Sequence, residues 1–193
     1  MESLILASAS PRRRELLGQA GIPFTVQPSG VDEASVILTG SPAEKAEQLA
    51  AAKAEDIASV NSSGIVLGAD TIVELEGEIF GKPADEADAF SMLTRLQGKQ
   101  HRVITGIALI DCKTGVRRQA HESTLVTFSK LTAEEIKAYI STGEPFDKAG
   151  AYGIQGKAAL FVEGICGCYP NIVGLPLMRL GRLLEEFGVK ALL

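Results

Sequence analysis

Ile65-Val66-Leu67-Gly68-Ala69-Asp70-Thr71-Ile72-Val73 reads as a buried strand with one polar interruption. Apolar residues flank a carboxylate and a hydroxyl. A carboxylate in such a place needs a metal ion, a cation or a proton, because burying an unpaired charge is costly. The stretch therefore predicts both a core strand and a chemical site on it.

Upstream, Leu4-Ile5-Leu6-Ala7 predicts another short buried strand. Ser10-Pro11 opens a helix, with Ser suited to the N-cap and Pro to the first helical position. Leu16, Leu17 and Ala20 form its apolar face, and Gly21 ends it. Phe24-Thr25-Val26 follows as a strand. Ser41-Pro42-Ala43-Glu44 is a capping box for a helix running to Ala58.

Downstream, Glu76-Gly77 predicts a hairpin turn. Asp85 caps a helix bearing Ala89, Met92, Leu93 and Leu96, and Gly98 closes it. Val103 to Ile110 and Thr124 to Phe128 read as strands, with a turn at Lys113-Thr114-Gly115. Thr132-Ala133-Glu134-Glu135 is a second capping box, and Gly143 stops that helix. Ala159 to Val162 reads as a strand and Leu175 to Phe187 as a closing helix. Interleaved strands and helices predict an α/β fold.

The 193 residues suit one compact domain, or one with two lobes around a cleft. At 46% hydrophobic and 22% charged residues, the chain can build a core, which excludes a disordered protein. A net charge of −5 argues against a coat for nucleic acid or an anionic membrane, so local cationic clusters carry the meaning. The odd count of three cysteines, Cys112, Cys166 and Cys168, lacks a disulfide or zinc pattern and points to a reducing compartment. Met1-Glu2-Ser3-Leu4-Ile5-Leu6 does not read as a signal peptide, and no stretch approaches ~18 apolar residues; the cytoplasm is the expected location.

Ser8-Ala9-Ser10-Pro11-Arg12-Arg13-Arg14 joins the first strand to the first helix. Free N–H groups at a helix start, with hydroxyls and guanidinium groups, suit a phosphate. Arg13 falls on the core-facing side with Leu16 and Leu17, whereas Arg14 points away and reads as solvated. In the second helix, Lys53 sits inside the apolar stripe of Ala46, Leu49, Ala50, Ala54 and Ile57. Either it snorkels to water or it faces a cleft containing an anion. Glu33 is a second candidate carboxylate, and Lys82 in Gly81-Lys82-Pro83 is a third cation. His101 and His121 lack a local motif. Neither a G-x-S-x-G elbow nor a Walker A pattern occurs, and the glycine-rich stretch from 150 to 156 is not the dinucleotide fingerprint.

Taken in order, these pieces resemble the Maf family of nucleoside triphosphate pyrophosphatases, also called septum-formation inhibitor proteins. The matching segments are Leu6 to Arg13, Glu33, the helix with Lys53, Gly68-Ala69-Asp70-Thr71, Gly81-Lys82-Pro83, Gly143 to Gly156, and Asn171-Ile172-Val173-Gly174-Leu175-Pro176. Cys168 departs from the pattern, since serine often precedes the aromatic residue in relatives. The resemblance implies a single domain over 1–193. Its fold would be an elongated mixed β-sheet flanked by helices with a central cleft, similar to inosine-triphosphate pyrophosphatases. It implies hydrolysis of a nucleoside triphosphate to the monophosphate and pyrophosphate with Mg2+ or Mn2+, and a homodimer. Asp70, Glu33, Lys53 and Lys82 would be catalytic, Asp70 and Glu33 would bind the metal ion, and Ser8, Arg12 and Arg13 would hold the triphosphate. Arg12, Thr71 and Gln155 match positions associated with dTTP and UTP. A glutamate stands in place of Gln155 in the branch acting on 7-methyl-GTP. An amide both donates and accepts, which suits the O4 and N3–H of uracil or thymine. Two rivals stay open: a non-enzymatic regulator that arrests septum formation, and a house-cleaning pyrophosphatase for purine or modified nucleotides.

Overall fold

The structure, a computed structural model, describes residues 3–190. Strand β1 (Leu4–Leu6), helix α1 (Pro11–Gln19) and strand β2 (Phe24–Val26) come first; the two strands pair in parallel, with Leu6 opposite Val26. Leu16 and Leu17 bury the apolar side of α1, and Gly21, at φ +66°, turns the chain out of it. Helix α2 (Pro42–Ala58) starts with the expected capping box: Ser41 Oγ accepts the Glu44 N–H at 3.3 Å and the Glu44 carboxylate accepts the Ser41 N–H at 2.7 Å. Strand β3 (Ile65–Leu75) runs parallel to β1 and turns through Glu76-Gly77 into the antiparallel β4 (Glu78–Phe80). Glu76 and Gly77 both have positive φ, the geometry of a two-residue hairpin turn.

Helix α3 (Glu86–Leu96), strands β5 (Gln100–Asp111) and β6 (Arg117–Phe128), helix α4 (Ala133–Ile140), strand β7 (Val162–Cys166) and helices α5 (Tyr169–Val173) and α6 (Leu177–Glu186) complete the chain. One seven-stranded sheet of order β2-β1-β3-β5-β6-β7, with β4 on β3, has both parallel and antiparallel pairs. The expected α/β class is therefore met.

Two compact units divide the chain. The first holds the residues up to Asp70, Thr105–Glu122 and those from Gly174 onward. Its core joins Ile5, Ala7 and Val66 of the sheet to Ala50, Ala54 and Ile57 of α2. The second unit, Thr71–Ile104 with Ser123–Val173, has an aromatic core. There Phe128 meets His101 and Tyr152 edge to face, and Tyr139 meets Phe161 in the same way.

Alpha-helix α2 lies unusually close to the sheet. A Cβ on Gly68 would overlap the Ala50 carbonyl and lie 2.9 Å from Ala54 N. A Cβ on Gly106 would overlap the Ala46 carbonyl and lie 2.5 Å from Glu47 N. Hydrogen replaces a methyl at both places, so helix backbone rests directly on β3 and β5.

Three expectations need correction. Ala159 to Val162 is not a strand: Lys157–Phe161 forms a 3-10 turn and β7 begins at Val162. Ala158 and Phe161 are buried while Leu160 is 86% exposed, a three-residue spacing that a strand cannot give. Strands β5 and β6 extend beyond the apolar runs, because one face of their outer parts is exposed and takes polar residues, as at Gln100 and Arg102. Helix α5 was not anticipated.

Gly68→Ala should cost about 2 kcal/mol or more in urea unfolding, through overpacking against helix backbone. Gly18→Ala, on α1 with open space at its Cβ, should instead be neutral or stabilising. A second test concerns His101, whose burial pulls its pKa from 6.5 to about 4. The unfolded chain binds a proton there between those values and the folded chain does not, so stability falls as pH drops from 6.5 to 4. The loss attributable to this residue is roughly 3 kcal/mol. Unfolding at pH 7 and pH 4.5 should show a smaller difference for His101→Gln than for the unaltered chain.

Candidate active site

Residue alternation places Gly68 and Asp70 on the same face of β3. Gly68 lets α2 settle onto that face, and Lys53, three residues after Ala50, is delivered beside Asp70. The Lys53 ammonium donates to Asp70 Oδ1 at 2.6 Å. Its second ion pair is with Glu33 Oε1 at 2.7 Å. The side chains of Lys53 and Asp70 are 12% and 8% exposed, against 51% for Glu33. Lys53 therefore does not reach to water but pairs with two carboxylates of the chain itself.

Helix α2 also secures the segment that supplies Glu33. Asp56 Oδ2 accepts from Ser29 Oγ at 2.8 Å and from Gly30 N–H at 2.9 Å. Gln48 exchanges two hydrogen bonds with the Thr39 backbone, at 3.1 and 2.9 Å. Between these ties, Glu33–Ser35 forms a 3-10 turn capped by the Asp32 carboxylate. Sequence reasoning did not single out Asp56 or Gln48; a half-buried polar residue on a helix carries no signal of a distant loop partner.

The start of α1 brings its own cations. Arg13 Nε donates to the Gly174 carbonyl at 2.8 Å, and its Nη1 donates to Ser8 Oγ at 2.9 Å. Ser8 is buried, and its hydroxyl also accepts the Ser10 N–H at 3.3 Å. Ser10 stands at the N-cap position, yet its side chain makes no cap bond. Arg12 is half-buried and Arg14 is exposed, donating to the nearby Ala9 carbonyl. The expected division between Arg13 and Arg14 is thus observed.

Electrostatics tie the two groups together. Burial holds the Asp70 carboxyl above its ordinary range; Lys53 and then Arg13 oppose that shift, while Glu33 adds to it. Burial likewise pulls the Arg13 guanidinium down, and Asp70 pushes it back up. A carboxylate with a raised pKa is a better proton acceptor near neutral pH than an exposed one.

Ser8, Arg13, Glu33, Lys53 and Asp70 are all in the first unit, with Arg12 next to Arg13 on α1. Thr71 follows Asp70 on β3 and is half-buried; it belongs to the second unit with Lys82 and Gln155. Lys82 is exposed in the segment after β4, and Gln155 is exposed in the turn before the 157–161 segment. Among the described residues, no helix is long and apolar enough to cross a membrane.

An α/β sheet with a cation-rich helix start and a buried carboxylate held by a lysine defines a protein built to handle a polyanionic ligand. More narrowly, the Maf-like protein family model matches residues 3–187, and this chain belongs to that family. The dTTP/UTP pyrophosphatase of Ruminiclostridium cellulolyticum is 53% identical over 190 residues, covering 98% of each chain. That of Moorella thermoacetica is also 53% identical, over 189 residues, covering 98% of this chain and 97% of the relative. The fold is shared with two solved structures. The Ham1 protein of Staphylococcus aureus has a TM-score of 0.54 at 14% identity. The HAM1 protein of Coxiella burnetii has 0.51 at 15%. Each comparison covers 96% of this chain and 100% of the other.

The raised Asp70 pKa fixes the sign of a stability test. Protonation favours the folded chain, so this contribution is present below the ordinary carboxylate value and is lost as pH rises through the folded value. Asp70→Asn, neutral at every pH, should therefore melt higher than the unaltered chain at pH 7.5 in calorimetry. A lower melting temperature would show that the Lys53 pair outweighs the burial cost.

Proposed function

We propose that this protein is a cytoplasmic, homodimeric nucleoside triphosphate pyrophosphatase that converts dTTP and UTP to the monophosphate and pyrophosphate. The observation that carries the reading is Asp70, a carboxylate 5% exposed within a strand and paired with Lys53. A surface that only binds a partner has no use for such a group. The names of the relatives, at about half identity over the whole chain, support the same substrate class.

In this reading, Ser8, Arg12, Arg13 and the free N–H groups at the start of α1 hold the triphosphate. Asp70 accepts a proton from a water molecule whose oxygen attacks the α-phosphorus. The bond from that phosphorus to the bridging oxygen breaks, and pyrophosphate departs. Lys53 and Lys82 neutralise charge that grows on the phosphate oxygens during the step. Gln155 reads the base through its amide, supported by Arg12 and Thr71.

The chain also suits a hard divalent ion. Asp70 and Glu33 already direct carboxylate oxygens at one cation, the Lys53 ammonium, and Mg2+ or Mn2+ favours the same oxygen donors. Among the described residues, no group of three or more His, Cys, Asp or Glu side chains is arranged for a metal ion. Asp70 and Glu33 would hold such an ion, which would supply positive charge to the triphosphate.

Pyrophosphate release from UTP, dTTP, 7-methyl-GTP and ITP, with and without Mg2+, tests this function. UTP and dTTP should lead the panel and require the ion; activity led by ITP or 7-methyl-GTP refutes the base assignment, and no release from any nucleotide refutes the enzyme. Asp70→Asn should lower kcat at least ~100-fold, the ordinary contribution of a general base. Gln155→Glu should shift kcat/KM toward 7-methyl-GTP relative to UTP by roughly tenfold or more.

A further inference from the structure

Gln155 sits at the middle of a short turn, exposed and without regular secondary structure. A side chain so placed would sample many orientations unless its backbone were held. The residues on either side of it are held, and by the same two side chains.

Tyr139, on α4, is 3% exposed. Its hydroxyl accepts the Gly153 N–H at 3.3 Å, at the entrance to the turn, and donates to Glu144 Oε1 at 3.0 Å. The other oxygen of that carboxylate, Glu144 Oε2, accepts the Lys157 N–H at 3.0 Å, at the exit. One hydroxyl and one carboxylate, bonded to each other, therefore span the four-residue interval between Gly153 and Lys157. The turn itself closes with Gly156 N–H donating to the Gly153 carbonyl at 3.0 Å.

Side chains lie close over both glycines, Glu144 over Gly156 and Lys148 over Gly153. A Cβ on Gly156 would overlap Glu144 Oε1 and lie 2.6 Å from Oε2. A Cβ on Gly153 would lie 2.5 Å from Lys148 Cε. Lys148 is itself fastened, donating to the Glu144 carbonyl at 2.7 Å and pairing with Asp147 at 2.5 Å. Just before the turn, Tyr152 is buried in the aromatic core with its hydroxyl 2.7 Å from His101 Nε2. Tyr139 and Glu144, which anchor the backbone on either side of Gln155, are buried and half-buried, whereas Gln155 itself is exposed.

We infer that Tyr139 and Glu144 are positioning residues for base recognition: they clamp both ends of the 153–157 turn so that the Gln155 amide meets a pyrimidine in one orientation. The inference rests on the proposed role of Gln155 and goes further, assigning the discrimination to a pair of side chains that never meets the base. An amide distinguishes the O4 and N3–H edge from other bases only if its oxygen and nitrogen are correctly directed. A loosened turn can still admit the nucleotide, but it must order the amide on binding, and that ordering weakens binding without altering the chemical step.

The test combines Tyr139→Phe and Glu144→Gln with Gln155→Ala as the reference. Tyr139→Phe deletes one donor and one acceptor. Glu144→Gln replaces one accepting oxygen with an NH2 that cannot receive either N–H or O–H. Each should raise KM for UTP and dTTP roughly tenfold, the loss expected for one or two hydrogen bonds, with kcat changed less than about twofold. The ratio of kcat/KM for UTP over 7-methyl-GTP should fall by a similar factor. In the Gln155→Ala background, Tyr139→Phe should cause no further change in that ratio, because the two act as one unit. Hydrogen exchange at the Gly153 and Lys157 amides, read without substrate, should quicken in both single variants.

Faster exchange with an unchanged base ratio overturns the inference and leaves the pyrophosphatase reading intact. A loss of kcat and KM performance that persists equally in the Gln155→Ala background also overturns it, as a purely structural role. If Gln155→Ala itself leaves the ratio unchanged, the role assigned to Gln155 fails first and the clamp fails with it.

Discussion

Direct contact between the backbone of α2 and the sheet at Gly68 and Gly106 is the constraint on which the candidate site depends. A side chain of any size at either position would lift the helix by the width of a methyl group. Lys53 reaches Asp70 at 2.6 Å because the helix is not lifted. The same helix ties down both ends of the segment that presents Glu33, through Asp56 and Gln48. One element therefore sets the lysine, the second carboxylate and, through β3, their distance from Asp70. The alanines that surround Lys53 in the stripe serve this approach as well, since larger residues would hold the helix away.

The electrostatic result is a carboxylate kept ionisable at a cost to the fold. Burial raises the Asp70 pKa; Lys53 and Arg13 limit the rise. Without the burial the carboxyl would stay in the ordinary aspartate range. Arg13 fits the same logic, because its guanidinium is anchored by the Gly174 carbonyl and Ser8, which fixes its orientation. Its charge near Asp70 opposes the effect of burial on both groups.

The second unit solves a different problem. Its aromatic core and the Tyr139–Glu144 pair hold a glycine-rich turn that has no helix or strand to stiffen it. Gly153 and Gly156 lie where the Lys148 and Glu144 side chains cover their α-carbons. Rigid backbone with an exposed amide is what selective hydrogen bonding to a small planar ligand needs.

Much of this was legible in the sequence. Capping boxes at Ser41 and Thr132 marked helix starts that the structure reproduces, because these bonds are local and depend on residues three apart. Asp70 and Lys53 stood out as polar residues at apolar positions, and each was the answer to the other's anomaly. Local signals failed where partners are distant. Nothing within a few residues of Ala159 says that Lys157–Phe161 curls into a 3-10 turn, since Glu144 accepts the Lys157 N–H from thirteen residues away. Nor does Gly68 declare itself as the seat of a helix backbone. The sequence by itself determined the α/β pattern, the starts of the capped helices and the list of chemically unusual residues, because periodicity and capping act over one or two turns of chain. Tertiary structure alone decided that Lys53 faces carboxylates instead of solvent and that Glu33 joins them. Those outcomes depend on how near two backbones can come, and that distance is set by packing across the sheet.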